Sequence, residues 1–130
     1  MKTGAVLLAF LTVLSLSCNK EKTQNCESFL VITKASVSPS SSVANGILFD
    51  LEAYGGNLCY SFKRLDISKT GDKTYDIRVI ASLPCKPAVC AQALYQSNPS
   101  GSISTLSAGT YTLRFFNDSD LFTSVTVTIN

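Results

Sequence analysis

The chain contains no histidine and no tryptophan. Histidine is the side chain whose unperturbed pKa lies nearest neutrality, and it is the usual activator of serine and cysteine nucleophiles. Its absence excludes Ser-His-Asp and Cys-His catalysis, together with the histidine-containing zinc sites of most hydrolytic metalloenzymes. We therefore expect that the protein is not an enzyme and that it uses neither a metal nor another cofactor.

An excess of charge of one sign is also lacking. The chain has 11 Lys and Arg against 9 Asp and Glu, which gives a formal net charge of +2. Phosphate backbones are bound by clustered basic residues, so this balance predicts no nucleic-acid partner. The length of 130 residues leaves room for one domain.

An apolar run stands near the N-terminus behind a single positive charge. Lys2 precedes a mostly apolar segment from Ala5 to Leu16, and the small residue Ser17 follows. This pattern is typical of a cleavable secretory signal, and the run is shorter than the roughly 20 residues that a transmembrane helix needs. The sequence therefore predicts a signal peptide over residues 1–17.

The residues that end this segment, Leu14-Ser15-Leu16-Ser17-Cys18, resemble the lipobox of bacterial lipoproteins, with Ser15 at the place of the usual large aliphatic residue. The resemblance implies that Cys18 carries the lipid anchor. The polar run that follows lacks apolar periodicity and predicts a tether over residues 18–27. By resemblance to lipoprotein sorting rules, the absence of aspartate directly after the cysteine favours the outer membrane. Cysteine parity agrees, because five cysteines in an exported chain leave one unpaired. The alternative is an incidental thiol beside an ordinary cleavage site.

From Phe29 onward, short runs rich in Val, Ile, Thr, Tyr and Phe are separated by clusters of Gly, Ser, Asn and Asp. This pattern is typical of an all-β sandwich or barrel. We predict a small antiparallel β-sandwich of about six or seven strands over residues 28–130. The predicted strands cover residues 29–36, 46–54, 58–67, 74–83, 110–117 and 121–129, with a weaker strand over 91–95. Alternation with a period of two predicts that the apolar residues of 47–53 and 75–81 point inward, and that those of 111–115 and of 125–129 each share one face.

The connections between these strands contain residues that tolerate positive φ, which predicts hairpin turns at residues 55–57, 69–72 and 117–120. A shift of the apolar pattern in the third strand indicates a β-bulge near Arg64. Residues 106–113, LSAGTYTL, resemble the strand start of many bacterial immunoglobulin-like and fibronectin-like modules. The resemblance implies an immunoglobulin-like sandwich.

Four cysteines remain in the predicted domain, and antiparallel pairing of the strands predicts that they converge at one end of the sandwich. We expect two disulfides among Cys26, Cys59, Cys85 and Cys90, and the sequence allows three connectivities. The pairs Cys85–Cys90 and Cys26–Cys59 are favoured, because the loop between the first two can close locally. A four-thiolate zinc site is the alternative, but the CxxC pairs of such sites are missing.

The loop of Lys86, Pro87, Ala88 and Val89 is the candidate binding loop. A disulfide and two prolines would lower the entropy that this segment loses when it meets a partner. The alternative is a structural brace across the end of the sandwich. A shared apolar patch of Leu94, Tyr95, Phe116 and Phe122 would also indicate a binding surface.

Two groups of acidic residues allow other chemistry. Asp50 and Glu52 are two residues apart on one strand face, which suits either paired-carboxylate catalysis or a polar outer face. For the outer face, the expected cross-strand partners are Lys63, Asp76 and Arg78. Asn117, Asp118 and Asp120 supply either calcium ligands or the hydrogen bonds of a turn.

These observations predict a membrane-anchored exported lipoprotein. It would act as a non-enzymatic structural or protein-interaction module of the cell envelope. Its expected partners are the membrane, through the lipid anchor, and an envelope protein or a glycan. The alternatives are a ligand- or glycan-binding accessory lipoprotein and a protease inhibitor that uses the loop between Cys85 and Cys90.

Overall fold

Two packed β-sheets form the domain, described by a computed structural model over residues 24–86, 88–104 and 107–130. Over these residues the chain has nine strands and no helix, which confirms the predicted all-β sandwich. The first sheet contains β1 (Asn25–Phe29), β4 (Ser61–Gly71), β5 (Thr74–Pro84), β8 (Gly109–Asn117) and β9 (Asp120–Ile129). The second contains β2 (Val31–Val37), β3 (Ile47–Gly55), β6 (Tyr95–Ser97) and β7 (Ser100–Ile103).

The predicted signal peptide, 1–17, and Cys18 lie outside the described residues. Within the described ranges, no helix is long and apolar enough to cross a membrane. The first strand begins at Asn25, three residues before the domain boundary expected at residue 28. The last residues of the expected tether are therefore part of the first sheet.

The strand predicted over residues 29–36 is divided between the two sheets. β1 pairs with β5 in the first sheet, and β2 pairs with β3 in the second. The chain changes sheets at Leu30, whose N–H donates to the carbonyl of Val79 at 2.9 Å. This change places Leu30 and Ile32 in the core while Val31 stays exposed, so the apolar alternation continues through the break.

Two long strands, β3 and β5, each pair along one side with two shorter strands that follow one another. β5 pairs with β8 in parallel over its first half and with β1 over its second half, and β3 pairs in turn with β7 and β6. The break between β6 and β7 falls at Asn98 and Pro99, because proline has no N–H for a ladder. The weak strand predicted over 91–95 is displaced, since pairing begins only at Tyr95.

Two of the three predicted hairpins form, namely β4–β5 and β8–β9, and Asp118 adopts a φ of 56° in the second. The predicted hairpin at residues 55–57 is wrong, because this segment carries the chain from the second sheet to the first. Turn residues stabilise both kinds of connection and do not distinguish them. The bulge predicted near Arg64 is confirmed by a register shift between Phe62 and Arg64.

Core side chains come from both sheets in the alternating pattern that the sequence predicts. Phe49 of β3 and Phe115 of β8 meet edge to face, with ring centroids 5.8 Å apart. Each fully buried large apolar side chain contributes about 1.5–3 kcal/mol, so this interior is the main source of stability. Tyr75, Val125 and Val127 pack against it while partly exposed. The most buried apolar residues are Leu30, Ile32, Ile47, Phe49, Leu51, Ala53, Ile77, Val79, Ala81, Leu113, Phe115 and Ile129.

Candidate functional site

The four cysteines of the domain converge where β5 ends and β1 begins. Cys26 is bonded to Cys85 with Cα atoms 4.9 Å apart, and Cys59 is bonded to Cys90 with Cα atoms 5.4 Å apart. The favoured connectivity, Cys85–Cys90 with Cys26–Cys59, is wrong. Asn25 faces Pro84 in the β1–β5 register, so Cys26 and Cys85 lie on adjacent ends of paired strands. We call these four cysteines and the loops at 55–60 and 85–94 the disulfide end.

The candidate binding loop is held at both of its ends. Cys85 ties the start of the loop to β1, and Cys90 ties the end of the loop to the segment before β4. The described residues of the loop, Lys86, Ala88 and Val89, are exposed, and Pro87 lies outside the described residues. A cavity of about 290 Å³ lies beside the loop, lined by both disulfides and by Leu83. The loop is thus covalently fixed to two separate parts of the scaffold.

Apolar side chains project into solvent at the disulfide end. Val89 is fully exposed, Leu94 is 68% exposed and Leu58 is 51% exposed. The N–H of Leu58 donates to the carbonyl of Ala91 at 3.2 Å, which joins the two loops that carry these residues. Exposed apolar side chains concentrated in one region mark a contact surface more reliably than scattered ones do.

The structure separates the residues considered for a shared apolar patch. Leu94 and Tyr95 belong to the disulfide end, where the Tyr95 hydroxyl accepts the N–H of Phe62 at 2.8 Å. Phe116 instead lies on the outer face of the first sheet. Its ring centroid is 4.6 Å from the guanidinium carbon of Arg78, and Phe122 lies on the neighbouring strand β9. The four residues therefore do not form one surface.

A small group of charges flanks the disulfide end. Glu27 of β1 accepts hydrogen bonds from Lys63 Nζ at 2.7 Å and from Arg64 Nη2 at 3.1 Å. The hydrogen bond from Lys63, together with the positive charges of both residues, lowers the pKa of the Glu27 carboxyl below its ordinary value. Arg64 also lies 3.9 Å from a carboxylate oxygen of Asp66. With exposed Lys86 included, this part of the surface has three cations and two carboxylates.

Asp50 and Glu52 lie on the outer face of the second sheet, in a groove of about 370 Å³. Ser100 Oγ donates to Asp50 at 2.5 Å, and Lys34 Nζ lies 3.3 Å from a Glu52 oxygen. The cross-strand partners expected from the sequence were wrong, because they belong to the other sheet. The groove is open and polar, and its remaining lining includes Ser36 and Asn98.

The most buried charged group of the described residues is Asp76, on the outer face of the first sheet. Its two carboxylate oxygens accept hydrogen bonds from Arg114 Nε at 2.6 Å and Nη2 at 2.9 Å. This two-point contact joins β5 to β8 across the parallel pairing. The sequence analysis missed this pair, since it did not place the two strands side by side.

Asn117 connects the two sheets. Its Oδ1 accepts the N–H of Ile32 at 2.7 Å, and its Nδ2 donates to the carbonyl of the same residue at 3.3 Å. The side chain therefore pairs with β2 as another strand would. Within residues 24–86, 88–104 and 107–130, no group of three or more acidic or cysteine side chains is placed to hold a metal ion.

A family model described as the ORF11 beta-sandwich domain matches residues 50–129, more than half of the chain. The chain belongs to this family. No curated protein and no solved structure matches the chain.

The ORF11 beta-sandwich domain match begins at Asp50, inside β3, and leaves β1 and β2 outside the matched range. Cys59 and Cys90 both lie inside that range. The bond between Cys26 and Cys85 instead joins the matched segment to the strand that precedes it. Strand pairing and a covalent bond thus both attach the N-terminal strands to the rest of the sandwich.

Proposed function

We propose that this ORF11-family protein is an exported lipoprotein, anchored to a membrane through Cys18. The observation that carries the proposal is cysteine parity. Four of the five cysteines are consumed in two disulfides, which leaves Cys18 for another chemistry. Disulfides persist in exported proteins and are rare in reducing compartments, so the two bonds agree with the predicted secretory leader.

The sandwich would sit close to the lipid surface. Gln24 follows Cys18 by six positions, and a fully extended chain spans about 20 Å over that distance. Two or more acyl chains hold a protein stably, because each buried methylene contributes about 0.8 kcal/mol. By resemblance to sorting rules, we assign the outer membrane, since Asn19 follows the cysteine.

We further propose that the protein acts by contact rather than by catalysis, as a structural or protein-interaction module of the envelope. Asp50 and Glu52, the pair considered for catalysis, lie on an open face. Ser100 donates a hydrogen bond to Asp50, and Lys34 donates one to Glu52. The candidate binding loop is exposed and fixed at both ends, which suits recognition because little entropy remains to be lost.

The anchor is tested by expressing the full chain in a bacterial host and measuring its intact mass and its partition into detergent. We expect a diacylglyceryl-type mass increase and loss of residues 1–17 for the wild type. Cys18→Ala abolishes both, whereas Ser17→Ala keeps a small residue before the cysteine and serves as the matched control. Wild-type protein with an unmodified thiol at position 18 contradicts the proposal.

The interaction role is tested by crosslinking in intact cells, followed by purification of the lipidated chain and identification of bound envelope proteins. The same partners should be depleted in Cys18→Ala cells, where the domain is no longer held at the membrane. Recovery of no envelope protein above the level of an unrelated lipoprotein argues against this role.

A second candidate function is the binding of a hydroxylated ligand such as a glycan. The groove beside Asp50 favours it, because hydroxyl, amide, ammonium and carboxylate groups line one open depression. Titration with envelope glycans, followed by NMR, should move the signals of Ser36 and Asn98. Asp50→Asn should weaken the response and Asp66→Asn, on the other sheet, should not. Unchanged spectra with every glycan would remove this candidate.

A further inference from the structure

We propose that the disulfide end is a membrane-contact surface that rests on anionic lipid headgroups, with Leu58, Val89 and Leu94 entering the interface. This proposal rests on the proposed lipid anchor, because in the cell the anchor would orient the domain toward the membrane. It requires that the chain enters the domain at this end, that apolar side chains project there, and that the surrounding charge is positive.

The first requirement concerns where the chain enters. The Gln24 carbonyl accepts the N–H of Cys85 at 3.0 Å, and the adjacent Cys26 is covalently bonded to Cys85. The chain that leads from Cys18 therefore joins the sandwich at the disulfide end. The hairpin that links β4 to β5 lies at the other end of β5, about 33 Å away for an eleven-residue strand. A tether of about 20 Å brings the disulfide end to the headgroups first.

The second requirement concerns the side chains at this end. Leu58, Val89 and Leu94 are at least half exposed, and they lie on loops that a disulfide and a backbone hydrogen bond join. Interfacial segments bury such side chains about 5–10 Å into the boundary between headgroups and acyl chains. Since the two disulfides already fix these loops, contact with lipid orders them little further.

The third requirement concerns charge. Lys86 stands exposed between the two disulfides. With Lys63 and Arg64 it makes three cations, against the two carboxylates of Glu27 and Asp66. Basic residues next to apolar tips attract anionic lipids, and that attraction falls off within a Debye length. An anionic lipid surface therefore fits this end, because apolar loop tips next to basic residues can enter it without a shaped groove.

The absence of tryptophan allows a direct test in the full-length lipidated protein. Leu58→Trp and Leu94→Trp each introduce the only indole, and the protein is placed in phosphatidylglycerol vesicles that contain brominated lipid. Val43→Trp is the matched control, because Val43 is also exposed but precedes β3, at the opposite end of the sandwich. We expect quenching at positions 58 and 94 to exceed quenching at 43 by about threefold or more.

Charge is tested in the Leu58→Trp background. Lys86→Ala should lower quenching in phosphatidylglycerol vesicles and leave it unchanged in zwitterionic ones, whereas Lys69→Ala, at the far hairpin, should change neither. Equal quenching at positions 43, 58 and 94, or none at 58 and 94, overturns the membrane-contact surface.

The intact mass of the same preparations separates this result from the anchor. Lipidated protein without quenching at 58 and 94 refutes the surface alone. Protein without lipid refutes the anchor, and its quenching by added anionic vesicles then supports or refutes the surface independently.

Discussion

Replacing Asn117 by alanine removes a side chain that pairs with the backbone of β2 from the opposite sheet. The amide both accepts the Ile32 N–H and donates to the Ile32 carbonyl. Ile32 is itself 1% exposed, and it lies beside a register shift in the β2–β3 pairing. Its backbone groups therefore have little access to water once the amide is gone.

The expected cost follows from these two hydrogen bonds. A buried backbone group that loses its partner costs about 1–3 kcal/mol, and the longer 3.3 Å contact belongs at the low end of that range. We expect Asn117→Ala to lower the free energy of unfolding by about 2–4 kcal/mol. At about 4 °C per kcal/mol for a domain of this size, the melting temperature falls by roughly 8–16 °C.

Urea denaturation at pH 7 with the disulfides intact measures this change, and Asn98→Ala on the exposed groove is the control. Asn117→Asp keeps the acceptor but sets an oxygen against the Ile32 carbonyl, so it should regain stability relative to the wild type when acid protonates the new carboxyl. A loss below about 0.5 kcal/mol in Asn117→Ala, the size of an ordinary surface change, refutes the pairing. Stabilisation of the wild type by added calcium would favour the calcium-ligand hypothesis instead.

Three further predictions concern packing and charge. Gly101→Ala should cost about 1–3 kcal/mol in urea denaturation, because its Cβ would overlap the buried ring beside it. Asp76→Asn should cost about 1–3 kcal/mol by the same measurement, because Arg114 loses its charged partner. The stabilisation that Glu27 provides should be present above its ordinary pKa of 4.5 and disappear as the pH falls through the lowered folded value, so wild type and Glu27→Gln should converge in acid denaturation.

Each of these has its own control and contrary outcome. Gly56→Ala meets no atom within 4 Å and should be neutral, so equal losses at both glycines would contradict the packing argument. Asp120, at the exposed start of β9, is the control for Asp76. If Asp120→Asn lost as much stability as Asp76→Asn, the loss would come from charge alone and not from the contact with Arg114. A difference between wild type and Glu27→Gln that grows on acidification would contradict the sign of the pKa shift.

Periodicity in the sequence predicted most of the core correctly. The alternation in residues 47–53, 111–115 and 125–129 follows from the two-residue repeat of a strand. One face of the first two segments is buried as expected, whereas in the third Ile129 is buried and Val125 and Val127 are only partly so. The convergence of four cysteines at one end of the sandwich was also predicted correctly, from the antiparallel pairing of strands. These features depend on local pattern and strand direction, which the chain carries in its residue order.

The disulfide connectivity depended on which strands become neighbours. Local spacing favours Cys85–Cys90, but β1 lies against the end of β5, and this pairing places Cys26 beside Cys85. The segment at 55–57 has the composition of a hairpin and crosses between sheets instead. Turn chemistry specifies how sharply a chain bends, and it carries no information about the sheet that receives the next strand.

The amino-acid sequence by itself determined the strand-rich class, the inward and outward faces of the strands, the bulge near Arg64 and the exclusion of histidine chemistry. Only the tertiary structure decided the division of the first strand, the partners of the four cysteines and the pairing of Asn117 with β2. The physical reason is the distance along the chain over which each feature is set. Strand periodicity depends on residues two positions apart. The Cys26–Cys85 bond instead joins residues 59 positions apart, and the Ile32–Asn117 hydrogen bond joins residues 85 positions apart.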